Sequence, residues 1–529
     1  MTTKHISIIV SAIVLVSSVI TGCKKDILNT APNDRLSTDV FWKTENDAKL
    51  AVNAIYPFLD GVNIFVWDGT SDIGHTNAPF QAEALLEQGV YDALNSRVLT
   101  EWNNAYSGIA ASNFVLDNID KVTSANTALI NQFKGEAKAL RAYQYIKLAA
   151  FYGDVPLVTK SISIDEGRQL TRTPVSQVWD FVDKELTEAA SLLPLSYAAA
   201  EKGRVTKGTA LALKARADLL AARYQLAAEA AKQVMDLKLY SLYPQYSKLF
   251  SYAAENNAEV ILNKEFIKDI YSVNVFGSMA PYSQKNSNNT YVPTKRLADT
   301  YTMSNGKDIT DPTSGFDPNN PYTNRDPRLR YSIFVSGDLL PDGKTFRPEP
   351  NSGTSDAIGN TYLATTTGFV LKKYINTEDY ANPTNNGINI ILLRYAEVLL
   401  TYAEAKIELN QIDASVFDAI NQVRQRSDVN LPPLPNTLTQ AQLREAVRRE
   451  RTSELAFEGL RTWDIRRWKL AETVIPGPVM GMTYLVNGQP TTIKVQAFEK
   501  VFDKGRHYLW PVPQKERQLN PNLTQNPGW

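Results

Sequence analysis

Three carboxylates are spaced so that they could act together in catalysis. Glu450, Glu454 and Glu458 recur at intervals of four residues, on one side of a helix that starts near Thr439. A catalytic pair of acids needs one carboxyl that keeps its proton near neutral pH, which requires an apolar pocket. Arginines crowd this segment and favour ionised carboxylates: Arg444, Arg448, Arg449, Arg451, Arg461, Arg466 and Arg467. We therefore predict an ion-pair network here and no catalytic acid.

The sequence carries none of the other common catalytic or metal-binding patterns. Beyond the N-terminal apolar run the only histidines are His75 and His507, which lie far apart and lack a second ligand at helical spacing. A Gly-x-Ser-x-Gly nucleophile turn and a glycine-rich phosphate loop are both missing. We predict that the protein is not an enzyme and has no metal centre.

One loop has enough oxygen atoms to suggest calcium. It contains Asp308, Asp311, Asp317 and Asp326, but their spacing differs from that of a recognised calcium loop. We predict solvated Asx turns, in which each carboxylate bonds its own backbone, and keep calcium binding as the alternative. No other cofactor is predicted.

Aromatic residues in polar loops are candidates for binding sugars. Aromatic rings stack on the apolar faces of sugar rings, while Asp, Asn and His side chains bond to hydroxyl groups. Two stretches have this composition, and the alternative for each aromatic is that it anchors its loop to the core. The candidates are Trp67, Asp68, Asp72, His75 and Asn77 in the first stretch, and Tyr282, Asn286 and Tyr291 in the second. As ligand contacts we select Trp67, Asp72, His75, Tyr282 and Tyr291.

The N-terminus has the pattern of a bacterial lipoprotein signal. Lys4 precedes a largely apolar run over residues 6–20, which is too short to span a bilayer, and the run ends at Thr21, Gly22 and Cys23. Cys23 is the only cysteine of the chain. We predict a signal peptide over residues 1–22, lipid attachment at Cys23 and a polar tether to residue 35; a coincidental cysteine beside an ordinary cleavage site is the alternative.

Composition predicts one ordinary folded body over residues 36–529. Apolar residues make up 43% and charged residues 21% of the chain, close to the usual values for globular domains. The 56 basic residues equal the 56 acidic ones, so nothing points to nucleic acid or to an anionic membrane surface as a partner. Attachment to a membrane must then depend on lipid.

Helical periodicity dominates the body. The segment 133–152 has a buried stripe and stops at Gly153, and the segment 209–237 contains two alanine-rich helices that break near residues 223–225. A third unit pairs a helix over residues 396–407 with one over 416–423. We predict a mainly α fold of tetratricopeptide-like helical hairpins, with a loop-rich irregular second layer and a few short strands.

Two insertions are the best candidates for that second layer. Residues 271–360 are rich in Asn, Ser, Asp, Gly and Pro, and residues 471–490 have similar loop chemistry. Function is expected there, because binding residues concentrate on loops held by a rigid scaffold.

Motifs along nearly the whole chain resemble the SusD/RagB family of glycan-binding outer-membrane lipoproteins of Bacteroidetes. The most specific are two C-terminal blocks, one over residues 449–468 and one that begins with Leu509-Trp510-Pro511 and ends with Pro527-Gly528-Trp529. Earlier matches lie at residues 39–45, 135–143, 152–156, 325–328, 393–398 and 420–424. These are mostly scaffold motifs, so the resemblance implies the fold and role more than the sugar.

The resemblance implies a non-catalytic lid protein that captures an oligosaccharide and passes it to a SusC-like TonB-dependent transporter. It also implies a lipid anchor in the outer membrane, with the body facing outward, because Lys24, Lys25 and Asp26 look like a surface-export signal with few acids. A peptide-binding lid is the second hypothesis, and a glycoside hydrolase the third.

Overall fold

The structure is a computed structural model of the chain, and it describes residues 41–78, 81–123 and 126–529. The predicted signal peptide, the predicted lipid attachment at Cys23 and the tether lie outside the described residues. Within those ranges, no helix has both the length and the apolar character needed to cross a bilayer.

Helices account for most of the regular structure. In chain order the α-helices are α1 (Glu45–Asn53), α2 (Ile64–Gly69), α3 (Ala82–Gln88), α4 (Ser96–Asn118), α5 (Thr127–Tyr152), α6 (Ile164–Gly167), α7 (Val175–Leu192), α8 (Lys207–Leu220), α9 (Tyr224–Asp236), α10 (Phe276–Met279), α11 (Lys295–Thr300), α12 (Arg328–Ser332), α13 (Tyr395–Glu408), α14 (Ala414–Arg424), α15 (Gln440–Glu454), α16 (Arg461–Arg467), α17 (Ala471–Val474) and α18 (Gln514–Leu519). Short 3₁₀ helices lie at Tyr56–Phe58, Ile119–Lys121, Ala199–Glu201, Tyr246–Lys248, Tyr252–Ala254 and Thr377–Asp379.

The long helices pack side by side and form the scaffold. α4 packs on α5, α5 on α7, α7 on α8, α8 on α9, α9 on α13, and α13 on α14 and α15. Ala210, Ala230 and Ala403 are fully buried at these contacts, and their small side chains let the helix axes approach. The predicted scaffold of tetratricopeptide-like hairpins is confirmed.

Helix boundaries fall close to the predicted ones. α5 ends at Tyr152, where Gly153 has φ +70°, a conformation that glycine adopts without steric cost. Residues 221–223 separate α8 from α9, so this pair must turn back on itself. Asp413 caps α14 by accepting a hydrogen bond from the backbone of Ser415.

Short strands pair within the irregular layer. In the described ranges, β1 (Gly74–Thr76) pairs with β3 (Tyr291–Pro293), β2 (Val260–Lys264) with β6 (Ile390–Arg394), β4 (Ile333–Phe334) with β5 (Val370–Leu371), and β7 (Gly477–Val486) with β8 (Gln489–Lys500), all antiparallel. The β1–β3 pair joins the segment after α2 to the central insertion, and it positions the loops described below.

Residues 471–490 have the composition of a loop, but the structure places regular elements there. After the short helix α17, the chain forms the long hairpin β7–β8. Asn487 and Gly488 make its turn with φ +51° and +79°, the conformation that an Asn-Gly hairpin turn requires. The Asn-Gly pair is the sequence signal for this hairpin, and the composition of the segment does not reveal it.

Candidate functional site

The stripe of Glu450, Glu454 and Glu458 lies inside the protein in a dense ion-pair network. Arg328 donates to Glu450 (2.6 Å) and to Glu454 (2.9 Å), and Arg394 donates to Glu454 (2.7 Å) and to Glu458 (2.6 Å). Burial by itself raises the pKa of Glu454, but the guanidinium groups of Arg426, Arg394 and Arg328 hold that pKa well below its usual range. The predicted ion-pair network is confirmed.

The partners in that network differ from those expected. The three carboxylates pair with Arg328, Arg394, Arg424, Arg426 and Lys373, which come from other parts of the chain. Arginines of their own segment pair elsewhere: Arg451 and Arg467 with Glu404 and Asp464, Arg461 with Asp72, Arg444 and Arg448 with Glu408, and Arg449 with Asp308. Spacing identified the network, whereas its partners depend on tertiary packing.

The aspartate loop forms the predicted Asx turns. Asp308 accepts from the backbone of Thr310 (2.8 Å), Asp311 from Thr313 (2.7 Å) and Asp317 from Asn319 (2.9 Å). Asp326 accepts from the backbone of Arg328 (3.0 Å) in the same way, and it also pairs with the Arg328 side chain (2.8 Å) inside the protein. Among the described residues, no His, Cys, Asp or Glu side chains cluster in threes in a way that could hold a metal ion.

Trp67 is a core residue in this structure. It lies on α2 with 1% of its surface exposed, and its ring contacts those of Phe151 (4.9 Å between centroids) and Trp510 (5.8 Å). A ring closed on both sides has no free face for a sugar. The predicted ligand contact at Trp67 therefore gives way to the anchoring alternative.

Asp72 and His75 are also buried, and both are engaged by charged partners. Asp72 accepts two hydrogen bonds from Arg461 (2.9 and 2.7 Å). Nδ1 of His75 lies 2.9 Å from a carboxylate oxygen of Glu87, which is itself 2.7 Å from the ammonium of Lys500. Their polar atoms serve internal contacts, so the predicted ligand role does not agree with their position.

Tyr291 forms part of the support beneath the loops. It lies on β3 with 5% exposure, and its ring packs so closely on Gly69 that a Cβ there would lie 2.5 Å from the ring. Its prediction as a sugar contact fails for the same reason as that of Trp67. Of the selected residues, only Tyr282 is partly exposed, and its ligand contact stays a prediction.

Three loops of the irregular layer meet next to the β1–β3 pair. We call the surface formed by residues 281–290, 338–345 and 351–366 the loop face. Asn77, which follows β1, is buried beneath it and holds these loops. Its backbone N–H donates to Thr290 O (2.9 Å), its side-chain amide donates to Ala364 O (2.9 Å), and its side-chain oxygen accepts from the backbone of Thr366 (3.0 Å).

Direct contacts between the loops complete the arrangement. A carboxylate oxygen of Asp356 accepts from the backbone of Ser283 (2.9 Å), and the side-chain oxygen of Gln284 accepts from the backbone of Asp342 (3.2 Å). Burial raises the pKa of Asp356, partly offset by its bonds from Ser283. The loop that carries Tyr282 is thus fastened to both of its neighbours.

The loop face presents aromatic and polar side chains to solvent. Tyr362 is 64% exposed, Tyr282 is half-buried, and Lys285 and Asn286 are exposed. Lys285 lies 4.8 Å from the ring of Tyr380. Such a surface can stack on an apolar ring face and bond to hydroxyl groups around it.

Sequence reasoning missed Tyr362, although its own criterion would have found it. The residue follows Asn360 and Thr361 in a polar loop, just beyond the predicted end of the insertion at residue 360. Tyr362 is an aromatic in a polar loop, but it was left out because the predicted insertion ended at residue 360. Asp356 was missed because its role depends on a contact with a distant loop.

Comparisons with known proteins agree on one family. The family model SusD_RagB, described as "SusD family", matches residues 258–529, which is more than half of the chain. A second model, described as "Starch-binding associating with outer membrane", matches residues 62–219.

Individual relatives match over nearly their whole length. SusD-like protein P25 of Formosa agariphila is 24% identical over 95% of both chains. The crystal structure of a SusD-like carbohydrate-binding protein from Bacteroides fragilis is 28% identical, with a TM-score of 0.85 over 92% of this chain and 100% of that one.

A more distant match shows the fold alone. Surface glycan-binding protein A of Bacteroides thetaiotaomicron, solved in complex with laminarihexaose, is 21% identical, with a TM-score of 0.69 over 92% of this chain and 100% of that one. The matched models and the shared fold together lead to one conclusion: this chain belongs to the SusD family.

Proposed function

We propose that the protein is a non-catalytic binding protein that captures an oligosaccharide on the loop face. The observation that carries this proposal is the exposure of Tyr362 and Tyr282 on loops held in place by Asn77 and Asp356. Preorganised loops reduce the entropy lost on binding, which suits a ligand that makes mainly polar contacts. The carbohydrate-binding relative and the laminarihexaose complex support a glycan as the ligand class.

Carbohydrate chemistry fits the loop face better than it fits the apolar side of the body. A cavity of about 820 Å³ lies between α4, residues 156–170 and α18, and its lining is mostly apolar. Sugars carry a hydroxyl on most carbons and need amide, carboxylate or cationic side chains around an aromatic ring. The loop face presents those groups on loops that are fastened to one another, whereas the surface of the cavity is mostly apolar.

The proposal also covers where in the cell the protein acts. We infer that lipid at Cys23 anchors the body to the outer membrane, facing the exterior, and that the captured ligand passes to a SusC-like TonB-dependent transporter. The second family model, whose description names association with the outer membrane, supports the membrane. A tethered protein stays at high effective concentration beside its transporter and can still move.

Two experiments test this function. Calorimetry and a glycan array on the chain from residue 24, with a peptide pool beside the oligosaccharides, should give binding to one class of oligosaccharide. Binding of peptides without any oligosaccharide would overturn the ligand class. In cells, palmitate labelling should disappear with Cys23→Ser, and the wild-type protein should be cleaved by protease added outside and should co-purify with a TonB-dependent transporter.

A further inference from the structure

A small void lies where α2, the end of α3, α16 and the segment after β8 meet. It has a volume of about 20 Å³, and its lining includes Trp67, Glu87, Tyr91, Arg466 and His507. Roughly 10–15 Å³ is enough for one water molecule, so the void has room for a single small species. None of its lining residues belongs to the loop face, and we call this void the donor pocket.

Three polar atoms of this lining are buried and have no hydrogen-bond partner among the described residues. They are Nε1 of Trp67, the hydroxyl oxygen of Tyr91 and Nε2 of His507, on residues that are 1%, 4% and 2% exposed. The rings of Tyr91 and His507 stack on each other, with 5.3 Å between centroids. Because buried polar atoms nearly always have a partner, three unpartnered atoms around one void indicate an occupant that bonds to them.

All three groups can donate a hydrogen bond. Nδ1 of His507 accepts from the backbone N–H of Asp503 (2.8 Å), so the neutral imidazole carries its proton on Nε2. Burial lowers the pKa of His507 to about 4, which keeps the ring neutral at pH 7. The indole of Trp67 only donates, and burial raises the pKa of Tyr91, so its hydroxyl keeps a proton to donate. The occupant must therefore accept hydrogen bonds.

Arg466 adds a positive charge that has no carboxylate partner among the described residues. Its guanidinium donates to the backbone and hydroxyl oxygens of Thr462 (both 3.0 Å) and to His507 O (3.4 Å), which are all uncharged. Burial lowers the pKa of Arg466, as expected for a cation that is poorly compensated. A buried cation without a carboxylate favours an anion beside it.

Glu87 is the only acid among the described residues of the lining, and its charge is already paired. One carboxylate oxygen contacts the ammonium of Lys500 (2.7 Å) and Nδ1 of His75 (2.9 Å). The other oxygen accepts from the backbone of Thr76 (2.8 Å). The donor pocket therefore has an excess of donors and of positive charge.

We propose that the donor pocket binds one chloride ion, with the Arg466 guanidinium as its counter-charge and the three buried donors as its ligands. Chloride accepts hydrogen bonds and donates none, whereas a water molecule must also place two hydrogens, for which the indole and imidazole N–H groups offer no acceptor. Sulfate and phosphate are too large for the void. Val501, also in the lining, is 51% exposed, so an ion can enter from the surface. The proposal does not depend on the ligand of the loop face.

A bound chloride joins parts of the fold that are distant in sequence. Trp67 lies on α2, Tyr91 follows α3, Arg466 lies on α16 and His507 follows β8. Because the unfolded chain does not bring these groups together, chloride binds the folded state alone and stabilises it in proportion to its concentration. Stability should then depend on chloride even at constant ionic strength.

Urea denaturation tests this dependence in solution. When chloride replaces gluconate at constant ionic strength, the folding equilibrium constant of the wild type should rise about tenfold for each tenfold increase in chloride above its Kd. A wild-type stability that does not change with chloride would overturn the proposal.

A conservative variant separates the donor pocket from general salt effects. Tyr91→Phe keeps the ring and removes one donor to the ion, so chloride should bind about tenfold more weakly. The matched control is Tyr301→Phe, because Tyr301 is also a buried tyrosine but does not line the donor pocket, and this variant should respond to chloride like the wild type. An equal response in both variants would count against the proposal.

Bromide locates the ion directly, because it replaces chloride and scatters X-rays anomalously. Crystals of the wild type grown in bromide should show an anomalous peak within hydrogen-bond distance of Trp67 Nε1 and His507 Nε2. Arg466→Gln, which removes the positive charge, should lose that peak. A water molecule without anomalous signal at this place, or a peak that is unchanged in Arg466→Gln, would overturn the proposal.

Discussion

Asp356 accepts a hydrogen bond from the backbone N–H of Ser283 at 2.9 Å, and this contact fastens the loop of Tyr282 to the loop that leads to Tyr362. Because the two aromatic residues lie on different loops, their relative position depends on such contacts. Asp356 is buried, so it acts on a ligand only through the loops that it holds.

The first prediction concerns this contact. We expect Asp356→Ala to weaken oligosaccharide binding about fivefold, because one hydrogen bond of about 1 kcal/mol no longer holds the loops. Asp356→Asn retains an acceptor oxygen and should bind like the wild type. Calorimetry on both variants checks this, and an equal loss in Asp356→Asn would argue against a fastening role.

The second prediction concerns catalysis on the loop face. When the wild type or Asp356→Asn is incubated with the oligosaccharide that it binds, no new reducing ends should appear. The raised pKa of Asp356 makes it the carboxyl to examine, because a general acid must hold its proton near neutral pH. Turnover by the wild type that is lost in Asp356→Asn would establish a glycoside hydrolase against the account given above.

The third prediction concerns the buried ion-pair network. Arg394→Met removes a buried guanidinium that Glu454 and Glu458 share and leaves the network one positive charge short, so we expect the free energy of unfolding to fall by about 3–5 kcal/mol. The control is Arg449→Ala, which removes the partner of Asp308 at a partly exposed site and should cost about 0–1 kcal/mol. Urea denaturation measures both, and similar losses would show that the network stabilises no more than a surface pair.

The fourth prediction is a pH dependence beneath the loop face. Burial by itself raises the pKa of Glu87, but His75 and Lys500 lower this pKa from 4.5 to about 2. A depressed folded-state pKa adds stability above pH 4.5 that is lost as the pH falls toward 2, at about 1.4 kcal/mol per pH unit in that window.

Glu87→Gln removes this titration. Its unfolding free energy should therefore fall less steeply than that of the wild type between pH 5 and about pH 3, although it starts lower. Urea denaturation at several pH values gives both slopes. Identical slopes would mean that Glu87 does not titrate as described.

Sequence reasoning predicted the scaffold because helical periodicity is a local signal. The stripes over α5, α8 and α13 and the stop at Gly153 were all visible without a structure. The β7–β8 hairpin escaped because its signal was only the Asn487-Gly488 pair within a loop-like composition.

The site was harder to predict, because burial is decided by distant parts of the chain. Trp67 was grouped with the polar residues that follow it, yet it ends the apolar run Ile64-Phe65-Val66 and is enclosed by Phe151 and Trp510, while Tyr362 stays exposed. Asp72 looked like a ligand contact until Arg461, from near the other end of the chain, proved to be its partner. Such pairings have no signature in the local sequence.

The central claim is that the loop face binds the oligosaccharide through Tyr362 and Tyr282. Calorimetry on Tyr362→Ala and Tyr282→Ala tests it most directly, with Tyr271→Ala as the control, because Tyr271 is also an exposed tyrosine (47%) but lines a different pocket, with Asn53 and Lys264. We predict that each loop-face variant weakens binding about tenfold through the loss of ring stacking, while Tyr271→Ala binds like the wild type. Unchanged affinity in both loop-face variants, or an equal loss in Tyr271→Ala, would contradict the account.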